Sequence, residues 1–376
     1  MHLKGGMLMI NKFSLFVLTI VFASIVLAGC AGGSSSSDAT DSSSNESNSN
    51  EAASEKVIEM EVSNYNPSTH PWGENVYEPW KVYVEEKTNG RVKVNLYHGG
   101  SLGGSGTVYQ DVKGGLYDVG LVVANYFYDT HFFPYTIGSL PFAFESSQAT
   151  LDVLGPFAEK YAKDKLTDIV VMGATSTDAY DIFASQPIRS VEELKKKKMR
   201  VNGKSEPPYV EALGGVPVSL VTEEIYEGLE KGTIDTAFYT PIGAVGMKMY
   251  EPGPYITKLR VSVTPIIPVM NKEFFNSLPD DLKTLFEEDL NPKLASLFTE
   301  NYTKLLDESY KTLEQEIAGK GEMITLPEDE LQKFKAPGKV AWDNWIKDAD
   351  AKGYDGEKMV EEFGKMLKEA GYPTPF

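Results

Sequence analysis

The order of elements along this 376-residue chain predicts an α/β fold in two lobes, followed by long C-terminal helices. Three observations carry that reading. Residues 57–123 run strand, helix, strand, loop, helix, strand, a pattern that favours parallel pairing. Residues 169–238 repeat the same logic. Residues 279–318 and 343–368 carry helical periodicity. Two such α/β halves predict a ligand held between them.

The elements follow in order. Residues 57–62 alternate from Ile58 and read as a strand whose acidic face is solvated. A helix is expected over 71–88, with Trp72, Val76, Trp80, Tyr83 and Val84 on one face. Pro71 suits its first turn, Asn89-Gly90 ends it, and Pro79 should kink it. Residues 91–96 alternate again, with Val92, Val94 and Leu96 inward. A Gly/Ser loop at 99–106, a short helix and a strand at 119–123 complete the first half. In the second, 169–172 is a strand, and Ser190 with Glu193 has the spacing of a capping box. Residues 198–201 form a short strand, 207–213 a helix, 222–231 a helix capped by Thr222, and 234–238 a strand. The stretch 279–318 is helical with a bend at Pro292, and 343–368 is helical with a break at 353–356.

Cys30 is the only cysteine. It follows an apolar run, residues 13–27, that is preceded by Lys4 and Lys12 and ends in small residues. A basic start, a short apolar core and a small-residue cut site form a secretory signal peptide. The run is short for a membrane span, which takes about 20 residues. A cysteine just after the small residues resembles the bacterial lipoprotein signal. That resemblance implies removal of residues 1–29 and lipidation of Cys30, palmitate included, with export to the outer face of the cell membrane or to the periplasm. Residues 30–55, rich in Ser and Asn, then form a flexible tether.

Losing Lys4 and Lys12 takes the formal charge from −18 to −20. So acidic a chain is a poor ligand for nucleic acid and for anionic lipid. A small anion remains possible, because charges are screened within about 8 Å. With Cys30 committed to lipid there is no thiol for a disulfide, a thiolate metal site or a nucleophile. The four histidines, His2, His70, His98 and His131, lack metal-ligand spacing, and no phosphate loop of the G-x-x-x-x-G-K type is present. No cofactor or metal is expected.

Arg200 stands out in Lys198-Met199-Arg200-Val201-Asn202-Gly203, where alternation puts Arg200 and Asn202 on one side. A guanidinium grips a carboxylate through two parallel hydrogen bonds, and if buried it needs an anion. On composition alone, Arg200 reads first as merely the end of the solvated run 195–198 and only second as a ligand-binding residue.

Several stretches together resemble the extracytoplasmic solute-binding proteins of TRAP transporters (tripartite, ATP-independent uptake systems), the dicarboxylate-binding-protein-like family. They are Val84-Glu85-Glu86-Lys87-Thr88-Asn89-Gly90-Arg91-Val92-Lys93-Val94, Ser101-Leu102-Gly103, Gly115-Leu116-Tyr117-Asp118-Val119 and Leu140-Pro141-Phe142. Lys198-Met199-Arg200-Val201 stands where that family has "KIRV". Leu213-Gly214-Gly215-Val216-Pro217-Val218, Glu224-Ile225-Tyr226-Glu227-Gly228-Leu229 and Lys231-Gly232-Thr233-Ile234-Asp235 follow in the family's order. The resemblance runs from about residue 57 to 290.

It implies a periplasmic-binding-protein-like fold whose lobes close on an organic acid, with delivery to integral-membrane permease subunits and no enzymatic activity. The lobes would be 56–177 plus 265–303 and 178–264 plus 304–376, in a monomer. Arg200 would grip the carboxylate. Asn64 and Tyr65, Asn125 and Tyr126, Tyr180, and Tyr239 or Thr240 would line the cleft. Asn202, beside Arg200, and His70, after the first strand, are further candidates. Asp235-Thr236 departs from the family's "DG", and a second arginine near Tyr180 is absent. Four tyrosines with one arginine suit a mono-anionic, partly apolar or aromatic acid, or a sulfonate.

Two alternatives stand beside this. A receptor of the ATP-driven type differs only in its permease. Gly99-Gly100-Ser101-Leu102-Gly103 also matches the nucleophile elbow of a surface serine esterase, but the only histidine after Ser101 is His131, too near in sequence for that fold.

Overall fold

The computed structural model describes residues 56–375. The expected signal peptide, Cys30 and the tether lie outside them. Twelve strands form among these residues: β1 Ile58–Ser63, β2 Val92–Tyr97, β3 Val119–Val123, β4 Ile169–Val171, β5 Thr175–Ser176, β6 Asp181–Ala184, β7 Lys198–Val201, β8 Val216–Ser219, β9 Thr236–Tyr239, β10 Tyr255–Lys258, β11 Pro265–Asn271 and β12 Glu322–Thr325. They divide into two sheets, β2-β1-β3-β11-β4 with β5 also on β11, and β12-β10-β6-β9-β7-β8.

The expected parallel pairing holds for β1 with β2 and β3, and for β7 with β8 and β9. Each sheet also takes antiparallel strands: β11 runs against β3, β4 and β5, and β6 against β9 and β10. These are the strands next to the crossings, where the chain reverses between sheets. β3 and β11 are buried at every residue, as central strands covered on both faces must be.

The chain crosses between the sheets at two neighbouring extended segments. Thr177 N–H donates to Thr264 O at 3.0 Å, Tyr180 N–H to Ser262 O at 2.7 Å, and Val261 N–H to Tyr180 O at 3.0 Å. A third crossing is helical, Asn291–Lys304 leading into Leu306–Glu316 with the join at Leu305. The C-terminal helices Gly338–Ala351 and Gly356–Glu369 pack on Pro207–Ala212 of one half and Ser147–Ala162 of the other. Trp345 stacks on Phe133 with ring centroids 4.9 Å apart, and its indole N–H donates to Thr136 Oγ1 at 2.9 Å.

The kinks expected at Pro79 and Pro292 take a specific form. A π-helical turn, Gly73–Tyr77, precedes the helix Glu78–Lys87, and another, Phe286–Leu290, precedes Asn291–Lys304. Proline offers no N–H and crowds the preceding turn, so a wider turn absorbs it. The break at 353–356 forms as expected: Gly353 turns with φ +83°, and Asp355 caps the last helix by accepting from Lys358 N–H at 3.1 Å. Two capping expectations fail. Ser190 makes no side-chain cap, because Glu193 takes the N–H of Arg189 instead. Thr222 does not cap a helix either; its hydroxyl turns to Tyr126.

Candidate ligand cleft

Arg200, on β7, is fully buried. Its Nε donates to Leu220 O at 3.0 Å and Nη1 to Phe238 O at 3.1 Å. Nη2 donates to Tyr126 OH at 3.1 Å and Asn202 Oδ1 at 3.2 Å. The strand alternation explains the geometry: Arg200 and Asn202 project together while Met199 and Val201 enter the core. Among the described residues no carboxylate lies within ion-pair distance of the guanidinium. The acid that most influences it is Glu206, whose Oε2 accepts from Asn202 N–H at 2.7 Å and whose Oε1 is buried without a partner. Burial pushes the Glu206 carboxyl up to about 7, against the opposing pull of Arg200.

Asn202 carries the network onward. Its Nδ2 donates to Thr264 Oγ1 at 2.6 Å and Tyr180 OH at 3.3 Å, and Thr264 Oγ1 bonds Tyr180 OH. Tyr180 and Thr264 sit on or beside the crossing segments, so the arginine network is tied to the joint between the sheets.

A cavity of about 30 Å³ lies beside this network, room for one or two waters. Of the residues expected in the cleft, Tyr65, His70, Tyr180, Asn202, Tyr239 and Thr240 line it. Asn64 does not: it donates to His98 Nδ1 at 3.0 Å and accepts from Asn66 N–H at 3.0 Å. Arg200 and Tyr126 stand one layer back, bonded to each other. Asn125 is buried with neither amide atom partnered, and it borders a separate opening with Tyr126 and Gly203. Thr240 caps the helix Pro241–Gly246 by accepting from Gly243 N–H at 2.8 Å.

Sequence reasoning missed Asn66, Trp72, Thr177 and Tyr302 in the lining. Trp72 was assigned to a core-facing helix stripe. It does pack on Phe298 and Tyr65, but its indole N–H also donates to Tyr302 OH at 2.8 Å. Tyr302 lies 230 residues away on a helix whose apolar pattern gives no sign of the cleft.

Burial sets the charge states. His70 is pushed down to about 3 and is neutral at ordinary pH; its Nδ1 accepts from Trp72 N–H at 3.2 Å, which leaves the ring proton on Nε2. Asp178, beside the crossing, is pushed up to about 7, with Oδ2 accepting from Ile242 N–H at 3.2 Å and Oδ1 unpartnered. Tyr65, Tyr180 and Tyr239 are all raised, chiefly by burial, and are neutral phenols. One permanent cation among neutral phenols and a neutral imidazole describes an anion receptor. Ser101, by contrast, is exposed on a series of turns between β2 and the helix Val108–Lys113, with no strand-to-helix elbow.

Residues 62–348 match the family model of bacterial extracellular solute-binding proteins, family 7 (DctP). The chain belongs to that family. An uncharacterised protein of Haemophilus influenzae is 29% identical over 280 residues, 67% of this chain and 83% of its own. A TRAP solute-binding protein from Rhodoferax ferrireducens, solved with copurified benzoate, superposes with a TM-score of 0.76 at 20% identity, covering 83% of this chain and 98% of that one. One from Bordetella bronchiseptica, solved with (R)- and (S)-mandelate, gives 0.74 at 21% identity, covering 83% and 99%. By its family the chain is therefore an extracytoplasmic solute-binding receptor, not an enzyme.

Proposed function

We propose that this receptor captures a small mono-anionic carboxylate with an apolar or aromatic body, or the equivalent sulfonate, and delivers it to the membrane subunits of a TRAP permease. One observation supports the reading: Arg200 is wholly buried with no acidic partner in ion-pair range among the described residues, beside a cavity walled by phenols. A buried guanidinium of this kind gains most from an anion. The absence of a second cation among the cavity-lining residues argues for one carboxylate rather than two. The benzoate and mandelate bound by the structural neighbours have this character.

The ligand contacts fall to Arg200, Asn202, Tyr180, Tyr239, Tyr65, Tyr126, His70 and Thr240, with Asn64 and Asn125 supporting the walls. The lobes are 56–177 plus 265–303 and 178–264 plus 304–376, in a monomer; the membership of the two sheets supports this division. Residues 1–29 act as a lipoprotein signal peptide, and Cys30 carries the lipid, palmitate included, that anchors the receptor to the membrane.

A thermal-shift screen over organic acids tests the ligand class, since a ligand at 100 times its Kd adds about 2.7 kcal/mol. Calorimetry on Arg200→Ala tests the site. Carboxylate affinity should fall at least about a hundredfold, from loss of the buried charge and of the hydrogen-bond network built on it. Unchanged affinity removes Arg200 from the site.

A further inference from the structure

The Gly/Ser loop at 99–106 takes no part in the cavity, yet it makes one of the firmest contacts between the two halves. Ser105 is fully buried. Its N–H donates to Glu223 Oε1 at 2.9 Å and its hydroxyl to Glu223 Oε2 at 2.7 Å, so one carboxylate of the second half satisfies two buried donors of the first. Thr222, the neighbour of Glu223, pairs its hydroxyl with Tyr126 OH at 3.1 Å, and Tyr126 takes Arg200 Nη2.

We infer that Ser105 and Glu223 form the closing latch of the receptor, with Glu223 as a positioning residue that sets the Thr222–Tyr126–Arg200 chain. The inference rests on the reading of the cleft as the ligand site. Its physics is asymmetric between states. When the lobes part, the Ser105 donors and the Glu223 carboxylate are free to meet water. When they meet, Ser105 is buried and depends on Glu223 alone. Glu223 itself faces solvent, so removing its carboxylate takes two hydrogen bonds from the closed state, with water as the only substitute at the seam, and costs the open state little. Other contacts span the same seam: Ser139 Oγ meets Ser205 Oγ at 2.9 Å, and Lys204 pairs with Asp129. The Lys204 pair is not joined to Arg200 through a hydrogen-bonded neighbour; Ser205 is, through Glu206 and Asn202, so the latch is one of two seam contacts coupled to the guanidinium.

The test measures closure without ligand. In the full chain carrying Cys30→Ser, spin labels are placed at Lys93→Cys and Lys231→Cys, both exposed and on opposite halves. Pulsed dipolar spectroscopy then reads the ratio of short to long inter-lobe distances. Glu223→Ala should lower that ratio about tenfold, the effect of roughly 1.4 kcal/mol, and Ser105→Ala, which keeps the N–H contact, by less. Glu223→Gln, which keeps an acceptor for one donor, should fall between. The Ser105→Ala/Glu223→Ala pair should lose no more than Glu223→Ala alone, while ligand-free melting of all variants stays near the parent. Distances unchanged in Glu223→Ala, fully additive losses, or a parent chain with no short-distance population would each overturn the latch. Because no ligand enters the measurement, a failed carboxylate screen leaves this result standing, and a failed latch leaves the Arg200 reading standing.

Discussion

The two walls of the cleft differ in kind. The wall from the first half is aromatic and internally tied: Trp72 packs on Tyr65, His70 and Phe298 at ring separations of 5.0–5.6 Å and holds Tyr302 through its indole N–H. The wall from the second half is polar and carries the charge, running from Arg200 through Asn202 to Tyr180 and Thr264. One wall supplies shape and stability; the other supplies sign. Damage to the first should lower stability before selectivity, and damage to the second the reverse.

The largest expected effect lies on the aromatic wall. Trp72→Ala removes a fully packed indole and strands the Tyr302 hydroxyl, so urea unfolding should show a loss of about 3–5 kcal/mol. If affinity collapses while stability holds, the division between walls is wrong. Next comes Arg200→Lys. It keeps the charge but loses the fork that reaches Leu220, Phe238, Tyr126 and Asn202, so calorimetry should recover less than about a tenth of the parent affinity.

Gly203→Ala sharpens the comparison at the seam where the walls meet. Gly203 has φ +96°, and a Cβ there would lie 2.4 Å from the Asn125 carbonyl oxygen of the opposite half. The clash exists only when the halves touch, while the backbone strain of a non-glycine at this φ is present in both states. Titration should show affinity reduced about tenfold, following the lost closed fraction, beside a loss in ligand-free unfolding of about 1 kcal/mol from the backbone alone.

The smallest effect is on pH dependence. Glu206 and Asp178 are pushed up to about 7, so the folded chain holds their protons where the unfolded chain has released them. Their contribution is complete below about pH 4 and is lost as pH rises through 7. His70, pushed down to about 3, acts oppositely: its contribution is complete above about pH 6.5 and is lost as pH falls toward 3. Glu206→Gln should flatten the decline between pH 5 and 8, by at most about 1.4 kcal/mol per pH unit, in urea unfolding followed across that range.

Strand alternation placed β1 and β2 because one face of each is buried and the other is not, and β7 because one face is apolar and the other polar although both are buried. The arginine network was legible for the same reason, since a charged residue at an alternating position beside Asn202 must share its side. β11 was not read as a strand: it is apolar throughout, and a run buried on both faces has no period to detect. Asn66 and Tyr302 escaped because their place in the cleft depends on contacts far off in sequence. Thr222 misled because a hydroxyl at a helix start has two uses, and only the packed halves decide between the backbone and Tyr126.

Tyr180 and Thr264 border the axle itself, where two extended segments bond to each other between the sheets. Turning about an axle moves each atom in proportion to its distance from it, so a modest swing gapes at the rim and hardly loosens the pocket floor. On the proposed two-lobe reading, a captured solute is freed from the rim inward, and its last handhold is the stationary part of the machine.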